Sequence, residues 1–332
     1  MKLRRRTIIG PEFRKDSLVA FRYKDLQKVT KNFSEKIGKG GFGSVFKGTL
    51  PDRSVVAVKK LESINQGEKQ LRTEVGTIGK INHVNLVRLR GFCYECSRKL
   101  LVSDFMPKGS LDKHLFRAKD SEPLDWKTRY QIALGAARGL AYLHDNCVDS
   151  IIQCDIKPEN ILLDVDNCSK LSDFGLAKLI GREFSRVLTT MRGTVGYLSP
   201  EWISGVAITP KGDVYSFGMM LLELISAKRN FEPTNDKEGG TLFPVWAASQ
   251  VTEGVCVLKL LDSRLNGNAD LEEVSRIYKV ACWCIQDNKI HRPSMSQVVQ
   301  ILEGFFDVSL PPMPRFLGEM INDRSTDFSS SI

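Results

Sequence analysis

The sequence predicts an α+β fold in two lobes: a small, mainly antiparallel β lobe with one helix, and a larger, mainly α-helical lobe. Three observations point there. The chain has 332 residues, about twice the usual length of one domain, which accommodates two lobes sharing a cleft. Between Phe33 and Asp104 the pattern is strand-like with one helical insert, and from Leu111 onward helical periodicities dominate. A hydrophobic share of 42% with 26% charged residues supplies a substantial core and excludes a mainly disordered chain.

Residues 1–32 read as a basic arm. Lys2, Arg4, Arg5, Arg6, Arg14 and Lys15 stand against Glu12, a local +5 within a chain whose net charge is +9. Such an arm is either a solvated tail or a contact for an anionic membrane surface. A nucleic-acid partner is not expected. No apolar run approaches the roughly 18 residues of a membrane span, and MKLRRRTIIG lacks the apolar core of a secretory signal. As written, the chain is expected to be cytoplasmic. Its eight cysteines are scattered, and Cys93 to Cys96 is the only CxxC, so buried reduced thiols are expected rather than zinc or disulfides.

The β lobe is expected over residues 33–105. IGKGGFGSV, Ile37 to Val45, contains GxGxxG at Gly38, Gly40 and Gly43, where backbone amides can approach phosphate oxygens with no Cβ in the way. Alone, that spacing also fits a dinucleotide-binding turn. The β-type continuation Ser44-Val45-Phe46 disfavours the helix start which that alternative needs. In SVVAVKKL the period of two puts Ala57 and Lys59 on one face and Val56 and Val58 on the other. A lysine facing a cleft needs a carboxylate, and the helix pattern from Gln66 to Ile81 offers Glu74, with Glu68 as a rival.

The helical lobe is expected over residues 106–308. LDWKTRYQIALGAARGLAYLH reads as a helix with Asp125 as N-cap and Ala133, Ala137, Leu140 and His144 on one buried face. QCDIKPEN sets Asp155, Lys157 and Asn160 at a spacing that combines a carboxylate for an acceptor hydroxyl, an ammonium for a phosphate and an amide for a metal. SDFG adds Asp173, a hard oxygen ligand suited to magnesium. SPE follows at Ser199 to Glu201. Asn230 to Gly240 is expected to be a surface loop, and residues 309–332, with PPMP and STDFSSSI, a disordered tail.

GxGxxG, VAVK, DIKPEN, DFG and SPE in this order resemble the eukaryotic protein kinase superfamily. FRYKDLQKVTKNFSEKIGKGGFG, HVNLVRLRGFC, GTVGYLSPEW and DVYSFGMMLLEL are similar to the plant receptor-like kinases, especially the S-domain branch with lectin-like ectodomains. The resemblance implies a two-lobed protein kinase fold and ATP-dependent transfer to serine or threonine. ATP would come with Mg2+, and Mn2+ is an alternative. Protein substrates follow, with a homodimer or a co-receptor as further partners. If the chain belongs to a receptor, it lies on the cytoplasmic side of the plasma membrane.

By the same resemblance, Asp155 is the base or hydroxyl-orienting group, Lys59 with Glu74 the phosphate clamp, and Asn160 with Asp173 the metal ligands. The nucleotide is covered by Ile37, Gly38, Lys39, Gly40, Gly41, Phe42, Gly43, Ser44 and Val45. Ala57 and Leu162 flank adenine, and the hinge from Asp104 to Met106 contacts it. Asp213 anchors the catalytic loop, and Arg292 pairs with Glu201. Lys157 and Thr194 go with serine/threonine substrates.

Gln153 and Cys154 depart from the histidine and arginine usual before the aspartate. A cysteine offers no bidentate guanidinium to a phosphorylated loop, so phosphorylation at Thr189 or Thr190 is not expected to be the main on-switch. The same two residues are the support for an alternative, a pseudokinase-like nucleotide-binding scaffold. Ser103, just before the hinge, predicts a roomy back of the adenine pocket.

Overall fold

The computed structural model describes residues 18–40, 43–62, 64–117, 122–180, 194, 196–230, 243–252 and 257–314. The chain enters through a short strand β1 (Val19–Ala20) and helix α1 (Tyr23–Val29). Strands β2 (Lys36–Gly40), β3 (Gly43–Thr49) and β4 (Val55–Leu61) follow, then helix α2 (Ile64–Ile78) and strands β5 (Leu89–Glu95) and β6 (Arg98–Asp104). Together they form a six-stranded sheet in the order β1-β5-β6-β4-β3-β2, antiparallel except for β1 beside β5.

The period of two in β4 sorts the sheet faces as expected. Val56 and Val58 are buried with Leu100, Val102, Cys93 and Leu50 on the outer face. On the other face the register pairs Lys59 with Val45 and Leu101, and Ala57 with Ser103. Apolar residues of α2, Leu71 and Ile78, join Leu86, Leu89 and Leu101 in a core continuous with that of the helical lobe. The insert helix runs from Ile64 to Ile78, slightly ahead of the expected Gln66 to Ile81.

Residues 18–32 depart from the reading of 1–32 as an arm. Val19 and Ala20 pair with Gly91 and Phe92, and the Phe21 N–H donates to the Phe92 carbonyl at 2.8 Å. Phe21 and Leu26 are buried in the outer-face cluster. Gly91 makes this approach feasible, since a Cβ there would lie 2.1 Å from the Val19 carbonyl oxygen and 2.5 Å from the Phe21 ring. Four consecutive apolar residues, Leu18 to Phe21, follow the basic run, and their burial against the edge strand outweighs the solvation that the charges favour.

The helical lobe opens with β7 (Gly109–Ser110), α3 (Asp112–Leu115) and α4 (Trp126–Ala141). The Asp125 carboxylate caps α4 by accepting from the Thr128 N–H at 2.7 Å. Past Ala141 the helix widens into a π turn, Tyr142–Asn146, which carries His144. Short strands β8 (Ser150–Ile152), β9 (Ile161–Leu163), β10 (Ser169–Leu171) and β11 (Lys178–Ile180) pair as β10-β9-β7 and β11-β8. They hold the loop 153–160 and the segment 172–177 side by side.

Helices α5 (Pro200–Ile203), α6 (Pro210–Ser226), α7 (Phe243–Thr252), α8 (Leu271–Cys284) and α9 (Met295–Leu302) complete the lobe. Helix α6 is buried nearly all round, as its apolar run from Phe217 to Ile225, interrupted by Glu223, requires. Ser294 and Gln297 form a reciprocal capping box on α9.

Two further expectations change. The start of the expected disordered tail, residues 309–314, lies along α8: Trp283 Nε1 donates to the Ser309 carbonyl at 3.0 Å, Gln286 Nε2 to the Pro312 carbonyl at 2.8 Å, and Met313 packs on the core. Trp283 in α8 and Gln286 just beyond its end present N–H donors to this segment, and packing of Met313 on the core adds apolar burial. Asn230, at the start of the expected surface loop, is buried: its N–H donates to Glu223 and its Nδ2 to the Met219 carbonyl. Residues 231–240 and 315–332 lie outside the described residues.

Candidate active site

Lys59 extends from β4 into the cleft, where its Nζ donates to Asp173 Oδ1 at 2.8 Å and to Glu74 Oε1 at 3.4 Å. Burial disfavours its charge, but the Glu74 and Asp173 carboxylates outweigh that and raise its pKa above the usual lysine value. Of the two glutamates considered on α2, Glu74 meets the lysine, whereas Glu68 binds Arg72 at 2.8 Å at the surface. Burial of Leu71 and Ile78 fixes this, because it turns the face bearing Glu74 toward the sheet.

Gln70, one turn before Glu74, completes the arrangement, and sequence reasoning missed it. Its Nε2 donates to Glu74 Oε1 at 3.2 Å and to Asp173 Oδ1 at 3.4 Å. Spacing of four along a helix facing the clamp was the available signal.

The loop between β8 and β9 brings together Asp155, Lys157 and Asn160. Lys157 Nζ lies 2.9 Å from Asp155 Oδ2 and donates to Thr194 Oγ1 at 2.5 Å, while the Thr194 hydroxyl donates to Asp155 Oδ1 at 2.9 Å. Asn160 Nδ2 donates to the Asp155 carbonyl and to Oδ2, both at 2.8 Å. Ser172 donates from its N–H and its hydroxyl to the Asn160 carbonyl, each at 2.9 Å, so Asn160 and Asp173 belong to one hydrogen-bonded unit.

Beneath this loop, Asp213 of α6 accepts from the N–H groups of Gln153 at 2.8 Å and Cys154 at 2.9 Å, and its Oδ2 is 2.9 Å from His144 Nε2. The His144 contact was not anticipated beyond the helix face. Gln153 is fully buried, and its Nε2 donates to the Ser172 and Asp173 carbonyls, each at 3.1 Å. Cys154 and Asp173 both adopt positive φ, at 70° and 57°, a strained backbone for residues with side chains. Cys154 packs with Ile152, Ile180, Trp202 and Ile208 in a separate apolar cluster. Burial holds its thiol well above the usual cysteine pKa.

Glu201 and Arg292 form a two-pronged pair at 2.7 and 2.8 Å. Ile37, Gly38, Lys39 and Gly40 lie on β2, and Gly43, Ser44 and Val45 on β3; Gly40 pairs with Gly43, so the glycine motif is a hairpin and not a strand-to-helix turn. Gly43 has φ of 143°, and a Cβ there would lie 2.0 Å from the Lys60 carbonyl oxygen. Ser44 donates to Glu62 at 2.8 Å. Ile37, Val45, Ala57 and Leu162 are half-buried, as is Ser103. Met106 is buried, and the Asp104 N–H is committed to the Arg88 carbonyl at 3.1 Å. Gly41, Phe42, Thr189 and Thr190 lie outside the described residues.

The donors offered by Asn160 and Asp173 are hard oxygens, suited to a divalent cation of the magnesium type. Among the described residues no cluster of three or more His, Cys, Asp or Glu side chains could hold a metal by itself. A cation here would need further oxygens, which phosphates and water supply. The residues therefore fit a metal that arrives with a nucleotide.

The protein kinase domain family matches residues 32–302. A G-type lectin S-receptor-like serine/threonine-protein kinase of Arabidopsis thaliana is 65% identical over 308 residues, covering 92% of this chain and 37% of the relative. SD2-2, of the same description and organism, is 56% identical over 317 residues, 93% of this chain and 40% of the relative. LECRK4 of Oryza sativa subsp. indica, again a G-type lectin S-receptor-like serine/threonine-protein kinase, is 45% identical over 298 residues, 89% of this chain and 37% of the relative. The chain thus spans about two fifths of the length of the curated relatives it matches.

Proposed function

The chain belongs to the protein kinase family, among the plant receptor-like serine/threonine kinases, and on that premise we propose how its residues share the transfer of the ATP γ-phosphoryl group to protein serine and threonine hydroxyls. The observation that carries this reading is the convergence of Lys59 on Asp173 at 2.8 Å, beside the Asp155, Lys157 and Thr194 cluster. Asp155 accepts from the Thr194 hydroxyl, the same hydrogen bond an acceptor serine or threonine would make. It orients that hydroxyl and takes its proton. Lys157 balances charge beside it, and Lys59, held by Glu74, binds the phosphates. Asn160 and Asp173 would hold a divalent cation, with Mg2+ preferred and Mn2+ as the alternative; bound, it neutralises phosphate charge.

The glycine hairpin, with Ile37, Val45, Ala57, Leu162 and the hinge from Asp104 to Met106, would cover the nucleotide. Asp213 anchors the loop through two amides, and the pair of Glu201 with Arg292 braces α5. The working body is residues 33–105 and 106–308, supported by the docked residues 18–32. Cys154 and its apolar neighbours support a non-RD mode in which phosphate on Thr189 or Thr190 is not the main switch. The three hydrogen bonds of Gln153 weigh against the scaffold alternative, because they hold the loop and the Asp173 segment together.

In a longer receptor-like protein, this domain would signal from the cytoplasmic face of the plasma membrane, with Lys2 to Lys15 meeting anionic lipid. Liposome binding independent of anionic lipid content would remove that role. A second copy or a co-receptor would be its partner at the membrane. The central test is phosphate incorporation from ATP with magnesium or manganese, comparing the chain with Asp155→Asn and mapping sites by mass spectrometry. Incorporation at serine or threonine, Ser185, Thr189 and Thr190 included, is expected and vanishes in the variant. Nucleotide binding without incorporation would favour the scaffold.

A further inference from the structure

Four polar groups alternate around the clamp. Lys59 Nζ and Gln70 Nε2 are donors, Glu74 Oε1 and Asp173 Oδ1 are acceptors, and each donor reaches both acceptors: 3.4 and 2.8 Å from the lysine, 3.2 and 3.4 Å from the glutamine. Lys59 alone would leave two carboxylates sharing one cation in a partly buried place. The Gln70 amide supplies a second, neutral donor between them.

The amide orientation follows from chemistry. Reversed, it would turn its oxygen toward two carboxylates that can only accept. Gln70 Oε1 is buried without a hydrogen-bond partner, so the side chain sits there at the cost of one unsatisfied acceptor. It also lies against the backbone that follows Asp173: a Cβ on Gly175 would be 2.5 Å from Gln70 Cγ and Nε2. One side chain of α2 therefore touches both the helix's own glutamate and the Asp173 to Gly175 segment.

We propose that Gln70 is a positioning residue for the divalent cation: its amide holds Asp173 Oδ1 and so turns the other carboxylate oxygen to the metal, coupling α2 to the Asp173 segment. This rests on the reading of Asp173 as a metal ligand. Lys59 makes the shorter bond to the aspartate, at 2.8 Å, and Gln70 adds a second hold on the same oxygen at 3.4 Å. Displacing α2 would then weaken metal binding as well as phosphate binding.

The experiment compares affinity for a fluorescent ADP analogue, with EDTA and with magnesium, in the whole chain and in Gln70→Leu, Gln70→Glu and Asp173→Asn. Magnesium is expected to tighten binding by the unaltered chain. In Gln70→Leu that tightening should shrink about tenfold, the scale of one hydrogen bond to a charged group, over and above any loss of affinity in EDTA. The apparent KM for magnesium should rise in parallel, while KM for a protein substrate stays. Gln70→Glu keeps the volume but brings in a third carboxylate, and should lose more. Equal tightening in the chain and in Gln70→Leu, with Asp173→Asn losing it, would overturn the role of Gln70 alone. Tightening retained in Asp173→Asn would overturn the metal reading beneath it. An equal loss with and without magnesium would make Gln70 structural and also reject the proposal.

Discussion

The side-chain oxygen of Gln153 accepts a hydrogen bond from the backbone N–H of Asp155 at 2.6 Å. Its amide nitrogen meanwhile donates to the Ser172 and Asp173 carbonyls, so one neutral side chain spans the loop and the Asp173 segment. Gln153→Ala should lower kcat by roughly 10- to 100-fold, as expected when buried partners lose about 1–3 kcal/mol of hydrogen bonding. Gln153→His should lose less. Steady-state kinetics on folded protein checks this, and an unchanged kcat for the alanine variant would show that the bridge is dispensable.

Cys154 has no charge to offer a phosphorylated loop and is buried among Ile152, Ile180, Trp202 and Ile208. Thr189→Ala with Thr190→Ala should therefore keep most of the turnover. Abolished turnover with an intact melting transition would contradict this.

Arg292 is buried and places its guanidinium on both Glu201 oxygens and on the Gln286, Lys211 and Asp287 carbonyls. Arg292→Ala should cost about 3–5 kcal/mol of stability, since it leaves a partly buried carboxylate uncompensated. Arg292→Lys keeps the charge but not the fork and should recover only part. Urea denaturation at constant slope measures both.

Burial pushes the Glu223 carboxyl up to about 7, against the hydrogen bonds it accepts from Tyr197 and Asn230. An unfolded glutamate titrates near about 4.3, so between these values the folded chain binds the extra proton. This contribution to stability should therefore fall as pH rises from about 4.3 to about 7 and level off above, by up to about 4 kcal/mol. Urea midpoints across this window should show that slope, and Glu223→Gln should flatten it. An identical slope in the variant would assign the titration elsewhere.

Ser103 pairs with Ala57 on the cleft face of the sheet. Ser103→Phe should weaken a bulky purine analogue about tenfold or more while sparing ATP, as overpacking by one ring costs about 1–3 kcal/mol. Equal affinities would mean that neighbouring side chains already fill the space.

Much of the site was legible because phosphoryl transfer needs particular groups at short spacings. Asp155, Lys157 and Asn160 lie within six residues, and the period of two on β4 set the direction of Lys59. The edge strand at Val19 and the docking of residues 309–314 were not legible, since charge and proline content describe a segment's solvation and not the groove it meets. Gln70 reads as an ordinary polar helix residue until Asp173, 103 positions away, comes into contact with it.

The sequence by itself determined the chemistry of this protein: which acids, amide and lysines it carries, in what order, and the two-lobed alternation of strands and helices around them. Only the tertiary structure decided that Gln70 and Gln153 bridge to the Asp173 segment, and that Cys154 is enclosed by apolar side chains. The reason is range. Local spacing follows from backbone periods, whereas these pairings follow from burying Leu71, Ile78 and Ile152 in cores assembled from distant segments.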